Sequence, residues 1–165
     1  MRLFIDADGS PTGHIAWYNH FTKTNLIRSL RPAIKNDRFG VQRMEMLAIY
    51  FAIADNHKHF QKPLRKKRGR VRRVIINIRS DSKSTIEQLK GICEIRDKIL
   101  SRIYERINGL LNYMSYQISF KYVQRTNNMA GLLLEKRRGE RKKDSRPLIR
   151  LSSCVNLRLI TPSII

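Results

Sequence analysis

The stretch RLFIDADGS, residues 2–10, decides the start of the fold. Its short apolar run over residues 2–8 predicts a β-strand, and Gly9 ends that strand. Asp6 and Asp8 are two residues apart, so a strand places both carboxylates on the same face. The sequence therefore predicts Asp8 at the carboxyl end of the first strand, with Asp6 beside it.

The pattern of apolar residues along the rest of the chain predicts alternating strands and helices. The predicted strands span residues 2–8, 14–18, 25–30, 74–78 and 118–123. The predicted helices span residues 42–58, 85–89, 95–113 and 129–137, and the first of them is amphipathic. An antiparallel meander of three strands followed by alternating helices and strands indicates an α/β domain with a mixed sheet.

The chain is strongly basic, since 34 Lys+Arg against 13 Asp+Glu give a formal net charge of +21 over 165 residues. Such a charge indicates a polyanionic partner, with nucleic acid favoured over a membrane surface. Most of the excess lies in two blocks, which we expect to bind phosphates without reading bases. The first block consists of Lys62, Arg65, Lys66, Lys67, Arg68, Arg70, Arg72 and Arg73. The second consists of Lys136, Arg137, Arg138, Arg141, Lys142, Lys143 and Arg146.

The amino terminus and the cysteines predict the compartment. The first apolar run reaches Asp6 too soon to be the core of a signal peptide. No stretch has the length of a membrane-spanning helix, so we expect a cytosolic protein with no part in a membrane. Cys93 and Cys154 do not have the spacing of a zinc site, and we expect both to be reduced structural thiols.

Three acids occupy the ends of predicted elements. Asp8 ends the first strand, Glu45 lies in the first turn of the first long helix, and Asp81 follows the buried strand 74–78. Each acid taken alone is ordinary, because Asp caps helices and Glu suits a helix amino terminus. Their common placement at element ends makes them candidates for one site.

Four segments in chain order resemble the signature segments of the ribonuclease H family. They are Asp8-Gly9-Ser10, Gln42-Arg43-Met44-Glu45-Met46-Leu47-Ala48, Ser80-Asp81-Ser82 and Val123-Gln124-Arg125-Thr126-Asn127-Asn128-Met129-Ala130. The stretch 91–111 also looks like the connector of that family. The resemblance covers roughly residues 2–136. It implies a ribonuclease H-like mixed five-stranded sheet flanked by helices over residues 1–136, followed by a basic C-terminal extension, 137–165.

The resemblance also implies a site. Asp8, Glu45 and Asp81 correspond to the family's ligands for two Mg²⁺ ions, with Mn²⁺ as the alternative metal. Two such ions can hold the attacking water and the leaving oxygen of a phosphodiester. Clustered carboxylates without cations would raise each other's pKa, which is a second reason to expect a metal.

The last segment departs from the family pattern. Gly131 stands where the family places a fourth Asp, which puts catalysis in doubt but leaves the fold untouched. Two substitutes are available: Glu135, one helical turn further on, and Asp6 on the first strand. The family's mobile histidine has no counterpart between residues 121 and 128.

Nucleic-acid contacts are expected from residues around these segments. Gln42 matches a position that the family uses at the sugar edge of RNA, where an amide can pair with a 2′-hydroxyl. The alternative is that Gln42 only caps the helix. The predicted nucleic-acid-binding residues are Gly9, Ser10, Gln42, Arg43, Arg65, Lys66, Lys67, Arg68, Arg125 and Asn127.

Three functions remain open at this point. The leading one is a monomeric endonuclease that cuts the RNA strand of an RNA·DNA hybrid. The second is a non-catalytic protein that binds structured RNA, for example on the ribosome, which Gly131 and the charge favour. The third is a DNA-directed nuclease of the same fold, because a fold does not choose among these chemistries.

Overall fold

The computed structural model describes residues 2–31, 38–60, 74–114, 116–140 and 149–150. The strands are β1 (Arg2–Ser10), β2 (His14–Asn19), β3 (Thr24–Arg31), β4 (Ile75–Ser80), β5 (Gln117–Tyr122) and β6 (Ile149–Arg150). The helices are α1 (Gly40–Phe60), α2 (Lys83–Leu89), α3 (Lys98–Asn112) and α4 (Met129–Glu140), with a 3₁₀ turn at Arg125–Asn127. None of the helices described combines the length and apolar character needed to cross a membrane.

The strands form one sheet in the order β5-β4-β1-β2-β3-β6. β1, β2 and β3 are an antiparallel meander, whereas β4 is parallel to both β1 and β5. The predicted mixed sheet of five strands is therefore confirmed. The two-residue strand β6 was not predicted, and it pairs Ile149 with Leu30 at the free edge of β3.

The main core lies between the sheet and α1. Strand residues such as Ile5 and Ile78 pack on α1, and α3 covers the side of α1 that faces away from the sheet. All residues of α1 from Arg43 to Ile53 are consequently buried. The prediction of an amphipathic first helix was wrong, because a helix enclosed on both sides needs no polar face there.

α4 covers the opposite face of the sheet. Ala7 pairs with Trp17 across β1 and β2, and both belong to the core beneath α1. Asp8 pairs with Ala16, and Ala16 packs on α4 in a separate cluster. This second cluster is small, with three buried residues. The three are Ala16, Ala130 and Leu134, and Ile27 packs against them.

Several element ends differ from the sequence prediction. α3 begins at Lys98 and not at residue 95, because the Asp97 side chain accepts a hydrogen bond from the Leu100 amide and caps the helix. α4 ends at Glu140. The predicted boundary between the domain and the C-terminal extension, after residue 136, therefore lies inside this helix. The first basic block, and the extension apart from residues 137–140 and 149–150, lie outside the described residues.

Candidate metal centre

Asp8, Glu45 and Asp81 meet at one edge of the sheet. β1 and β4 are parallel neighbours, so the acid that ends β1 and the acid that follows β4 emerge on the same edge. α1 carries Glu45 to this edge from the helix layer. Each of the three side chains offers one carboxylate oxygen, and these oxygens lie within 4.8 Å of one another.

The absence of a side chain at Gly9 allows α1 to approach β1 closely. A Cβ atom built at Gly9 would lie 2.3 Å from the carbonyl carbon of Met44 and 2.4 Å from the amide nitrogen of Glu45. Real Cβ atoms essentially never approach backbone so closely. The missing side chain therefore lets the first turns of α1 touch β1, and this contact brings Glu45 against Asp8.

The three acids repel one another in a buried setting. Burial raises the pKa of Asp8 to about 6, the charge of Asp81 adds to this rise, and Arg125 opposes it. Burial and then the charges of Asp8 and Asp81 hold the pKa of Glu45 well above its usual value. A hydrogen bond between Glu45 and Asp8 raises the pKa of Glu45 further and opposes the rise at Asp8.

Two polar side chains hold the acids in place. The Ser80 hydroxyl donates to Glu45 Oε2 at 3.3 Å. Asn128 is fully buried, and its Nδ2 donates to Asp81 Oδ1 at 2.8 Å and to the carbonyl of Ala7 at 3.2 Å. Its Oδ1 is buried without a hydrogen-bond partner among the described residues.

The donor set suits a hard divalent cation. Asp8, Glu45 and Asp81 each provide a carboxylate oxygen to this set. Mg²⁺ and Mn²⁺ prefer such oxygens. A cation would also relieve the repulsion that raises the pKa of Asp8 and Glu45. The residues present therefore fit a metal ion.

Comparison with known proteins identifies the architecture. No family model and no curated protein matches this sequence. Ribonuclease H1 from the halophilic archaeon Halobacterium salinarum NRC-1 superposes with a TM-score of 0.61 and 20% identity, over 81% of this chain and 94% of that one. This chain has the ribonuclease H-like fold.

Two further solved structures share the fold. The N-terminal RNase H domain of a Mycobacterium tuberculosis protein, solved as a fusion with maltose binding protein, gives a TM-score of 0.57 at 16% identity. That match covers 84% of this chain and 97% of the other. LC11-RNase H1, solved in complex with an RNA/DNA hybrid, gives 0.55 at 12% identity over 78% and 88% of the two chains.

Gly131 faces the acid cluster, as the resemblance to ribonuclease H implies for that position. A Cβ atom built there would lie 3.1 Å from Asp8 Oδ2 and 3.8 Å from Asn128 Cβ. Residue 131 thus lies beside Asp8, but as a glycine it supplies no carboxylate.

Neither proposed substitute joins the cluster in this structure. Glu135 is 46% exposed and accepts a hydrogen bond from Arg125 Nε at 2.8 Å. Asp6 is fully buried, and Arg79 donates to both of its oxygens at 2.6 and 3.0 Å. His20 and the Met129 amide contact the same carboxylate at 2.8 and 2.9 Å. Asp6 therefore ties β1 to β4 and to the start of α4.

Arg43, which was predicted to bind nucleic acid, is paired with Asp97 in this structure. Its Nε and Nη2 donate to Asp97 at 2.8 and 2.6 Å, and its side chain is only 6% exposed. This pair fastens α1 to the first turn of α3. Nothing in the sequence indicated this partner, which lies 54 residues away in the chain.

The structure describes some of the other residues that were predicted to contact nucleic acid. Gln42 lies in the first turn of α1, past the cap, and its Oε1 is buried without a hydrogen-bond partner among the described residues. Asn127 is exposed on the 3₁₀ turn. Ser10 is buried, bonds to the Thr12 hydroxyl and accepts from Arg138 Nη2 at 3.0 Å. Arg65, Lys66, Lys67 and Arg68 lie outside the described residues.

Sequence reasoning missed Asn128. The signal was present, since two asparagines precede the last helix, but the resemblance directed attention to Asn127. Only the fold shows that the second of the two is buried against Asp81.

The raised pKa values predict that metal-free protein loses stability as the pH rises. The Asp8 carboxyl binds its proton more tightly when folded, at a pKa of about 6, than at its ordinary value of 3.8. Between those two pH values the folded state holds more protons than the unfolded state, so the free energy of unfolding falls with increasing pH. Thermal melts from pH 4 to pH 7 in EDTA should show this fall, and Asp8→Asn should flatten it.

Magnesium should reverse the loss. Protons compete with the cation for Asp8 at pH 5, below its pKa of about 6, and compete less at pH 7. The rise in Tm on adding Mg²⁺ should therefore be larger at pH 7 than at pH 5. Equal shifts at both pH values would contradict the assignment of the raised pKa values to the metal centre.

Proposed function

We propose that this chain is a magnesium-dependent endonuclease that hydrolyses the RNA strand of RNA·DNA hybrids. The observation that carries the proposal is the convergence of Asp8, Glu45 and Asp81 within 4.8 Å on a ribonuclease H-like fold. One structure of similar fold was solved in complex with an RNA/DNA hybrid, which supports the choice of substrate.

The side chains of the site have two roles, metal binding and positioning of the metal ligands. Asp8, Glu45 and Asp81 bind the metal, while Ser80 and Asn128 hold two of these carboxylates by hydrogen bonds. A divalent ion bound there lowers the pKa of water and offsets charge on the phosphate. Water attacks phosphorus and the bond to the 3′-oxygen breaks, which leaves a 3′-hydroxyl and a 5′-phosphate.

Gln42 supports selection of RNA over DNA. Gln42 lies in the first turn of α1 and is partly exposed, so its side-chain amide is available to a bound strand. A 2′-hydroxyl can donate to the amide oxygen and accept from Nε2, whereas a deoxyribose strand offers neither contact.

A cleavage assay tests the proposal directly. Labelled hybrid, double-stranded RNA, double-stranded DNA and branched DNA are incubated with the full chain, with and without Mg²⁺. Metal-dependent cutting of the hybrid alone is the expected result. Cutting of branched DNA instead would identify a DNA-directed nuclease of this fold.

Gly131 favours a second candidate, a non-catalytic protein that binds structured RNA. The fold retains the fourth position beside Asp8 without its carboxylate, and the charge of +21 supports binding without chemistry. Metal-independent RNA binding with no cutting of any substrate would establish this candidate. The cytosolic location and the monomeric state stay predictions.

We expect the first basic block to supply affinity and no chemistry. Replacing Arg65, Lys66, Lys67 and Arg68 with serine should reduce the dependence of log affinity on log salt, which is near 0.9 per phosphate contact on a B-form duplex. Hybrid binding at a series of salt concentrations measures this slope. Turnover at saturating hybrid should be preserved, because no carboxylate has changed.

A matched variant controls for net charge. It replaces four exposed basic residues outside the block with serine, namely Lys83, Lys90, Arg96 and Arg102. If both variants lower the slope equally, the block has no special role. If the block variant loses turnover at saturation, the block positions the scissile phosphate.

A further inference from the structure

A shallow pocket lies where the turn between β1 and β2 meets the last turns of α4. It is lined by Ser10, Thr12, His14, Leu134, Arg137 and Arg138. Two of these side chains are arginines, and none of the six is an acid. The pocket is too narrow to enclose a small molecule, so it suits a charged group that is presented from outside.

The turn holds the polar groups of the pocket in place. The Gly13 amide donates to the carbonyl of Ser10 at 3.0 Å, and Gly13 has a φ of 82°, which favours glycine. The Ser10 hydroxyl lies 2.7 Å from the Thr12 hydroxyl and accepts from the Thr12 amide at 3.3 Å. Nδ1 of His14 lies 3.3 Å from the carbonyl of Thr12. These contacts keep two hydroxyl groups and an imidazole together at the end of β1.

α4 brings its arginines to this turn. Leu134 packs on Ala16 of β2, and Arg138 lies one helical turn beyond Leu134 on the same side of the helix. Arg138 is exposed, and its Nη2 donates to the Ser10 hydroxyl at 3.0 Å. A guanidinium has five N–H donors, so one hydrogen bond to Ser10 leaves others for an anion.

The side chains of three acids are described on β1 and α4, and each has other partners. Asp6 binds Arg79. Asp8 belongs to the acid cluster, and Glu135 binds Arg125. These acids are engaged elsewhere, and the guanidinium and hydroxyl donors of the pocket suit an oxyanion such as phosphate.

The pocket lies beside the acid cluster. Ser10 is two residues beyond Asp8 on the same face of β1, which separates their Cα atoms by about 7 Å. One strand of a duplex carries a phosphate about every 3.4 Å along the helix axis. A strand with one phosphate at the acids can therefore place another at the pocket, one or two nucleotides further on.

We propose that this pocket binds a backbone phosphate of the strand that is cut, one or two nucleotides from the scissile phosphate, and thereby sets the register of that strand on the acid cluster. Arg138 and the Thr12 hydroxyl provide the donors, and they are positioning residues because they touch no reacting atom. The register rests on the proposed nuclease function, whereas binding of phosphate by the pocket does not.

Titration of the isotope-labelled full chain with inorganic phosphate, followed by NMR in EDTA at constant ionic strength, tests the pocket without nuclease activity. The amide signals of Thr12 and Gly13 should shift and saturate. Arg138→Gln should weaken this binding roughly tenfold, because a charge-assisted hydrogen bond is lost. Arg102→Gln is the matched control, since Arg102 is exposed on α3 outside the pocket. The same spectra show that each variant is folded.

The titration can overturn the proposal in two ways. Signals of the turn that do not saturate would show that the pocket does not bind phosphate. Equal affinity in the wild type and in Arg138→Gln would show that the guanidinium does not contribute to a site there.

Terminal phosphates on the RNA strand test the register. Short hybrids carry either a hydroxyl or a phosphate at the 5′ or the 3′ end of the RNA. At one of the two ends, the phosphate should raise wild-type cleavage one or two nucleotides from that end by roughly tenfold, because it fills the pocket. Arg138→Gln should cut both forms alike, and Arg102→Gln should respond as the wild type does.

The two experiments separate the ways in which the proposal can fail. Saturable phosphate binding without any effect of a terminal phosphate would overturn the register and leave a site for free phosphate. The wild-type response to a terminal phosphate in Arg138→Gln would also overturn the register. A wild type that binds phosphate but cuts no hybrid would refute the proposed nuclease function, and with it the register, while phosphate binding by the pocket would stand.

Discussion

Asp81→Asn should lower hybrid cleavage by roughly a thousandfold or more while leaving the fold intact. The change replaces a charged ligand by an amide of the same shape, which binds a divalent cation poorly. The Asn128 amide can still donate to the side-chain oxygen at this position, so the surrounding hydrogen bonds survive. Single-turnover cleavage of labelled hybrid at saturating Mg²⁺ measures the effect.

Two controls accompany this experiment. Glu94→Gln removes one negative charge from an exposed side chain outside the cluster and should cut at the wild-type rate. Circular dichroism and hybrid binding should match the wild type for both variants. If Asp81→Asn cuts as fast as the wild type, Asp81 is not part of the catalytic centre.

Gly9→Ala should cause a larger loss of stability than alanine at Gly40 or at Gly109. The new methyl group would collide with the backbone of Met44 and Glu45, which cannot rotate away as a side chain can. We expect the free energy of unfolding to fall by about 3 kcal/mol or more, because α1 must move off β1. Urea denaturation of the metal-free protein measures it.

Two other glycines provide the comparison. A Cβ atom at Gly40 or at Gly109 meets nothing within 4 Å. Gly109 lies inside α3, where alanine should raise the free energy of unfolding by up to about 1 kcal/mol. If Gly9→Ala is as stable as Gly109→Ala, the close approach of α1 to β1 is not what holds Glu45 at the cluster.

The alternation of strands and helices could be predicted from sequence because it depends on local patterns. The apolar runs around Ile5 and Ile78 and the turn after Asp8 are visible within short windows of sequence. The order of the four resembling segments then placed Asp8, Glu45 and Asp81 together, and the structure brings them within 4.8 Å.

The partners of charged residues could not be predicted, because they depend on distant contacts. Arg43 was assigned to nucleic acid, yet Asp97 binds it from across the helix layer. Asp6 was considered for the metal, yet Arg79, 73 residues away, holds both of its oxygens. Sequence position indicated that these side chains lie near the site. It did not show which oppositely charged partners they already have.

The separate packing of α4 has a consequence for dynamics. Its apolar anchor is the small cluster of Ala130 and Leu134 on Ala16, and its first amide is held by Asp6. Such a unit can open by itself while the main core stays folded. Opening would break the hydrogen bond from the Met129 amide to Asp6 and leave the three acids in place. Amide hydrogen exchange would then be faster in α4 than in α1.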